Sequence, residues 1–193
     1  GTFGAYSHLA ALQIEPNAEV IPCKTFDECF LKVLSESDSR MVIPESNRIT
    51  GNIGIEYLIF KYRLNIYAEH FQIIEHNLLG QPGASLSDIK DVFSHTQGLS
   101  QCSSFIKKND LIEHIRADTA GSAEAISKNK IKSEAAIASS LSAKIYKLEI
   151  LEYNIENEKS NATRFLVMGK KVSQPDFGDK KYITSFLFKL KSK

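Results

Sequence analysis

From residue 86 to residue 152 short apolar runs alternate with helix-forming stretches, a rhythm that restricts the possible folds more than any other feature of the sequence. "DVFSH" (91–95), "HIRAD" (114–118) and "EAAIAS" (134–139) read as buried strands. "QGLSQCSSFIKK" (97–108), "AGSAEAISK" (120–128) and "SLSAKIYKL" (140–148) read as the helices that follow them. Strands alternating with helices at this spacing predict a mainly parallel α/β sheet, because parallel neighbours need a crossover long enough to hold a helix. "TRFLVMGK" (163–170) supplies a further strand that returns late in the chain.

The N-terminal half has its own pattern. In "TFDECFLKVLSES" (25–37), Thr25 and Glu28 stand at capping-box spacing, and Phe26, Cys29, Phe30, Val33 and Leu34 fall on one helical face. "RMVIP" (40–44) reads as a buried strand, and "TGNIGIEYLIFKY" (50–62) resumes helical spacing with Ile53, Tyr57 and Phe60 on one face. "YAEHFQIIEHNLLG" (67–80) is predicted to be one long extended stretch, carrying the chain from one lobe to another. The polar stretch 170–181 reads as a linker, and "YITSFLFKLK" after it alternates like a fresh edge strand.

Composition narrows the function classes. With 193 residues, 42% of them hydrophobic, the chain is long enough for one domain or for two lobes sharing a cleft. Its 24 basic and 23 acidic residues leave a net charge of +1 and no basic block, which argues against nucleic acid or an anionic membrane as partner. The three cysteines, Cys23, Cys29 and Cys102, have no C-x-x-C spacing, so neither a disulfide framework nor a zinc site is predicted, and a reducing, cytoplasmic setting fits. No apolar run approaches the roughly 20 residues that cross a bilayer.

Chemistry in an open α/β sheet belongs where strands end and helices begin, since helix N-termini expose N–H groups and a partial positive charge. "GAYS" (4–7), "NRITG" (47–51), "SHTQG" (94–98) and "DTAGS" (118–122) place hydroxyls or Gly at such turns. Each hydroxyl is either a helix cap or a ligand for an anion. Together with the adjacent Thr163 and Arg164, the four turns predict a polar pocket for a small anionic molecule. His8, His70, His76 and His114 lack metal-binding spacing and read as structural or exposed.

Those same residues carry a resemblance. "GAYSHLAA", "VIPESNRITG", "FSHTQGLSQC", "DTAGSA", "AAIASSLSAKIYKLEIL" and "NATRFLVM" resemble, in order and spacing, the successive signatures of prephenate dehydratases. The resemblance implies two α/β lobes around a central cleft, as in type 2 periplasmic binding proteins. It implies a catalytic region over 1–172, with lobe one at about 1–76 plus 163–172 and lobe two at about 77–162. A linker (173–181) and the opening of an ACT regulatory domain (182–193) would follow, and the abrupt start at "GTFGAYSH" reads as a trimmed chain.

The implied reaction is the decarboxylating dehydration of prephenate to phenylpyruvate in L-phenylalanine biosynthesis, with no cofactor and no metal. It needs orientation of the departing groups and a hydrogen-bond donor for the leaving hydroxyl. Thr163 takes that catalytic role by resemblance, with Ser7, Asn47, Ser94, Gln101 and Thr119 on the substrate side. Arg164, next to Thr163 on a strand, belongs either to the pocket or to the opposite face. His95 is a candidate acid or a turn residue. Implied partners are prephenate, L-phenylalanine as effector, and a second copy in a homodimer or homotetramer. The segment Pro44-Glu45-Ser46-Asn47-Arg48 departs from the family's usual Pro, apolar, Glu, Asn, Ser: the carboxylate moves by one residue and Arg48 replaces a hydroxyl, there either to bind a carboxylate or to fill the cleft. Thr96 stands where Pro is usual. The alternatives are arogenate as substrate and a non-catalytic small-anion-binding protein of the same fold.

Overall fold

The computed structural model describes residues 1–170. The order is α1 (Tyr6–Ile14), α2 (Phe26–Ser35), β1 (Arg40–Asn47), β2 (Gly51–Asn52), α3 (Glu56–Tyr62), β3 (Asn65–Ile73), β4 (Asn77–Gly80), β5 (Asp91–Ser94), α4 (Thr96–Gln101), α5 (Ser103–Lys108), β6 (Ile112–Ile115), α6 (Thr119–Asn129), β7 (Glu134–Ala138), α7 (Ser140–Tyr146), β8 (Glu149–Glu152) and β9 (Ala162–Gly169). The linker and edge strand expected after residue 170 lie outside the described residues.

Two sheets form, each the centre of one α/β lobe. The first has the order β2-β1-β9-β3 and is antiparallel throughout; the second has the order β6-β5-β7-β4-β8. In the second sheet β6, β5 and β7 pair parallel, while β4 pairs antiparallel with both β7 and β8, so β8 runs in the same direction as the first three. The mainly parallel sheet expected from residues 86–152 is thus present, with β4 as its one opposed strand, whereas the first sheet pairs antiparallel. The strand-helix rhythm registers crossovers, and β1-α3-β3 is one, but β9 arrives from far along the chain and inserts antiparallel between β1 and β3. The stretch 67–80 likewise splits into β3 and β4, which belong to different sheets.

Local signals explain most of the helices. Thr25 Oγ1 accepts the Glu28 N–H at 3.1 Å, and Glu28 Oε2 accepts the Lys24 N–H at 2.7 Å. Asp27 and Glu28 also complement the α2 N-terminus. Phe30 and Val33 are buried as expected, but Phe26 and Leu34 lie at the exposed edge. For residues 50–62 the expected face was out of phase. Gly51 and Gly54 hold positive φ, so the helix starts only at Glu56. It buries Ile55 and Leu58, leaving Ile53, Tyr57 and Phe60 exposed. The expected helix 97–108 is two, α4 and α5, broken at Cys102.

Ile55 and Leu58 join Phe30, Val33, Met41, Ile43, Leu166 and Met168 in the first lobe's core. Leu78, Val92, Leu99, Cys102, Ile106 and Ile137 anchor a core of the second lobe. The segment leading into α1 ties the lobes together. Gly4 O accepts the hydroxyls of Ser139 (2.6 Å) and Ser142 (3.0 Å), Phe3 O accepts the Tyr146 hydroxyl, and Thr2 donates to Asp118. Gly4 has φ +85° and no room for a side chain: a Cβ there would lie 2.9 Å from the Ser142 Cα. Gly4→Ala is expected to cost about 2–3 kcal/mol, read as a lower urea midpoint at unchanged slope.

Candidate active site

The register of β9 builds the site. Thr163 stands opposite Asn47 on β1 and Gln72 on β3, so the three share one face of the first sheet. Arg164, Leu166 and Met168 take the other face, where Leu166 and Met168 join the core under α2 and α3. Arg164 does not share the Thr163 face. Its Nε donates to Glu69 Oε2 at 2.7 Å and its Nη1 to Glu45 Oε2 at 3.3 Å, riveting β9 to both neighbours. Glu45 reaches it from an irregularity between Pro44 and Ser46, which turns the displaced carboxylate of "PESNR" toward Arg164 while leaving Asn47 in register with Thr163. Arg48 is exposed, its guanidinium near Ser160 O at 3.5 Å, and does not fill the Thr163 row.

Asn47 orients the catalytic candidate. Its Oδ1 accepts the backbone N–H groups of Ile49 and Thr50, both at 3.0 Å. A backbone amide only donates, so the opposite atom of Asn47 must be Nδ2. That group donates to Thr163 Oγ1 at 2.9 Å and to Asn161 Oδ1 at 2.8 Å. Thr163, 7% exposed, thus accepts a hydrogen bond from Asn47, and its own hydroxyl hydrogen meets no acceptor among the described residues.

Asn161, fully buried, donates through Nδ2 to Gln101 Oε1 at 3.1 Å. The same oxygen lies 2.8 Å from His76 Nε2, and His76 Nδ1 lies 2.9 Å from the Tyr6 hydroxyl. The row therefore runs from β9 and β1 through the end of α4 to the crossover between the sheets and the first turn of α1. Burial pushes the His76 imidazole below its ordinary value, against weaker upward effects of Gln101 and Glu156, so the ring is neutral. Burial likewise pushes the Tyr6 phenol up, with Cys102, Glu156 and Glu75 adding to it.

Gln72 completes the Thr163 row with an unusual feature. It is 6% exposed and donates to Ile73 O at 2.9 Å, while its buried Oε1 has no hydrogen-bond partner. An unsatisfied buried acceptor costs free energy unless a ligand donor meets it.

The remaining sequence candidates lie elsewhere. Ser94 is fully buried, and its hydroxyl donates across the sheet to Ile137 O at 2.7 Å. Thr119 begins α6, but the cap is Asp118, which accepts the Gly121 N–H. Ser7 sits in the first turn of α1 and lines a cavity of about 930 Å³ with Cys23, Val42 and Pro44. That cavity takes in none of Asn47, Gln72, Gln101, Asn161 or Thr163. His95 Nδ1 accepts the Gln97 N–H at 3.2 Å and caps α4. Sequence reasoning missed Gln72, Asn161 and Tyr6 and read His76 as structural or exposed. Asn161 stood within "NATRF" and Tyr6 within "GAYS", whereas nothing local marked Gln72 or His76. Among the described residues no three His, Cys, Asp or Glu side chains cluster as a metal would need, and no helix is long and apolar enough to cross a membrane.

Comparisons with known proteins agree with this architecture. The family model described as prephenate dehydratase matches residues 1–173. Arogenate dehydratase 2 of Petunia hybrida is 38% identical over 191 residues, covering 98% of this chain and 48% of that protein. The chain spans about half the length of the curated relatives it matches. A structure described as GqqA, a novel type of quorum quenching acylases, superposes with a TM-score of 0.84 at 34% identity, covering 90% of this chain and 63% of that one. The prephenate dehydratase of Arthrobacter aurescens in complex with L-Phe superposes with a TM-score of 0.83 at 24% identity, covering 92% and 61%.

Gln72→Leu removes the unpaired acceptor at similar volume, and is expected to stabilise the ligand-free protein by about 1 kcal/mol, roughly 3 °C in Tm by calorimetry. A lower Tm would mean that the Gln72 amide is already satisfied.

Proposed function

The chain belongs to the prephenate dehydratase family, and from that premise we propose that it converts prephenate to phenylpyruvate, carbon dioxide and water in L-phenylalanine biosynthesis. The observation that carries the proposal is the Thr163 hydroxyl, buried, held as an acceptor by Asn47 and left with its own hydrogen to donate.

The chemistry asks for such a group. The carbon–carbon bond to the ring carboxylate breaks and its electron pair enters the ring, while the carbon–oxygen bond to the ring hydroxyl breaks and its pair leaves on oxygen. One proton, taken up from solvent, balances the hydroxide as water. Aromaticity drives both cleavages, so no strong base is needed. A neutral donor held at the leaving oxygen stabilises the charge that grows there. Thr163 is assigned that role, and the free N–H₂ of Gln101 is a second donor for the dianion. Gln72 Oε1, next to Thr163 in the row, suits a ligand hydrogen such as that of the ring hydroxyl. Ser7, Thr119 and the first turns of α1 and α6 are retained as groups for the substrate carboxylates.

Arogenate, which carries an amino group in place of the side-chain keto group, keeps the same ring hydroxyl and so the same demand on Thr163. The names of the plant relatives favour including it as a second substrate. The division into lobes at about 1–76 plus 163–172 and 77–162, the linker and ACT segment after residue 172, control by L-phenylalanine, homodimer or homotetramer assembly and a cytoplasmic setting belong to the same proposal. Two sheets joined by two crossings support the division.

Full-length protein, assayed for phenylpyruvate from prephenate and for phenylalanine from arogenate, tests the reading. Thr163→Ala is expected to lower kcat about 100- to 1000-fold, and Thr163→Ser, which keeps the O–H, to stay within about tenfold. A wild-type protein inactive on both compounds, yet binding them, would instead be a small-anion-binding protein of the same fold.

A further inference from the structure

With a neutral His76 ring, the row of polar side chains from Asn47 to Tyr6 has one consistent arrangement of its hydrogens. The Ile49 and Thr50 amides fix Asn47 with Oδ1 toward them and Nδ2 toward Asn161, so the Asn161 atom facing it must be oxygen. Asn161 then turns its Nδ2 to Gln101, whose facing atom must be Oε1. His76 Nε2, 2.8 Å from that oxygen, must carry a hydrogen; a bare Nε2 would set two acceptors against each other. In the neutral ring Nδ1 is then an acceptor, and the Tyr6 hydroxyl 2.9 Å away supplies its hydrogen, which the Glu75 carbonyl shares at 2.8 Å.

The outcome at the far end is chemical. With its carbonyl held between His76 and Asn161, Gln101 turns its N–H₂ away from both, and that group has no acceptor among the described residues. Building on the proposed function, we propose that His76, held by Tyr6, is a positioning residue for the dehydration. Its Nε2–H locks Gln101 so that the Gln101 amide and the Thr163 hydroxyl both offer hydrogens to the substrate. Were the imidazole to carry its hydrogen on Nδ1, a bare Nε2 would repel Gln101 Oε1 and Asn161 alone would hold the amide, loosening the aim of its N–H₂. His76 is well placed for this, because it is 2% exposed and lies in the crossing between β3 and β4, with Asn161 in the return crossing before β9; the row thus passes through both junctions of the lobes. The charged side chain against His76 from the return crossing is Glu156, which accepts the His76 backbone N–H at 2.8 Å and pairs with Lys159 at 3.1 Å.

Two measurements on full-length protein test this. With ¹⁵N-labelled histidine at pH 7, the His76 resonance, assigned by its loss in His76→Gln, is expected to be that of a neutral ring protonated on Nε2. An Nδ1–H ring or an imidazolium overturns the proposal. In the assay, His76→Leu is expected to lose about 10- to 100-fold in kcat/KM, and His76→Gln, whose amide can donate to Gln101, to stay within about fivefold. Equal losses in two folded variants, or full activity in His76→Leu, overturn it too. Should His76→Leu not fold, Tyr6→Phe leaves the imidazole in place: the expected result is a growing Nδ1–H population with falling kcat/KM, and an unchanged ring and rate overturn the proposal. A wild type inactive on prephenate and arogenate removes the proposed function, while the tautomer still decides the relay.

Discussion

The site depends on the antiparallel pairing of β9 between β1 and β3. Without it, Thr163, Asn47 and Gln72 would belong to three unconnected segments; with it, they form a cross-strand row on one face of the sheet. The same register sends Arg164 to the other face, where Glu45 and Glu69 hold it. One strand therefore presents the Thr163 hydroxyl, the proposed catalytic group, and, one residue on, the ion-paired rivet that keeps the strand in place. The rivet is partly exposed, so its worth lies in fixing register rather than in a large net ion-pair energy.

A second constraint is the supply of hydrogens along the buried polar row. Buried amides and imidazoles are tolerated only when their hydrogen bonds are made, and here the backbone N–H groups at Ile49 and Thr50 set the direction of every bond that follows. The network leaves three groups unmatched among the described residues: the Thr163 hydroxyl hydrogen, the Gln101 amide hydrogens and the Gln72 carbonyl. These two donors and one acceptor are the groups that the proposed function gives to a molecule with anionic oxygens and a hydroxyl. Unfinished polar groups of this kind are where a folded protein most often departs from its own stability rules, because a ligand is meant to complete them.

Much of the outline was legible in the residues. The strand-helix rhythm marked the crossovers of the second sheet, Thr25 and Glu28 marked the start of α2, and the "NATRF" and "SHTQGLSQC" blocks marked Thr163 and Gln101. What failed had physical reasons. The phase of the helix after Gly54 depends on where two positive-φ glycines release the chain, and apolar spacing read across them selected the exposed Ile53, Tyr57 and Phe60. Hydroxyls near strand ends looked alike in sequence, yet the Ser94 hydroxyl hydrogen is committed to Ile137 O while that of Thr163 meets no acceptor among the described residues. Nothing near His76 or Tyr6 in the chain shows that their rings meet.

By itself the sequence determined the segments, the helix caps and the residue types placed at strand ends, because these follow from local propensity and short-range spacing. Only the tertiary structure decided which strands are antiparallel, which face each end residue takes and which hydrogens remain unspent. Those properties arise from pairings between residues as far apart as Asn47 and Thr163 or Tyr6 and His76, and a hydrogen bond's direction exists only once both partners are in place.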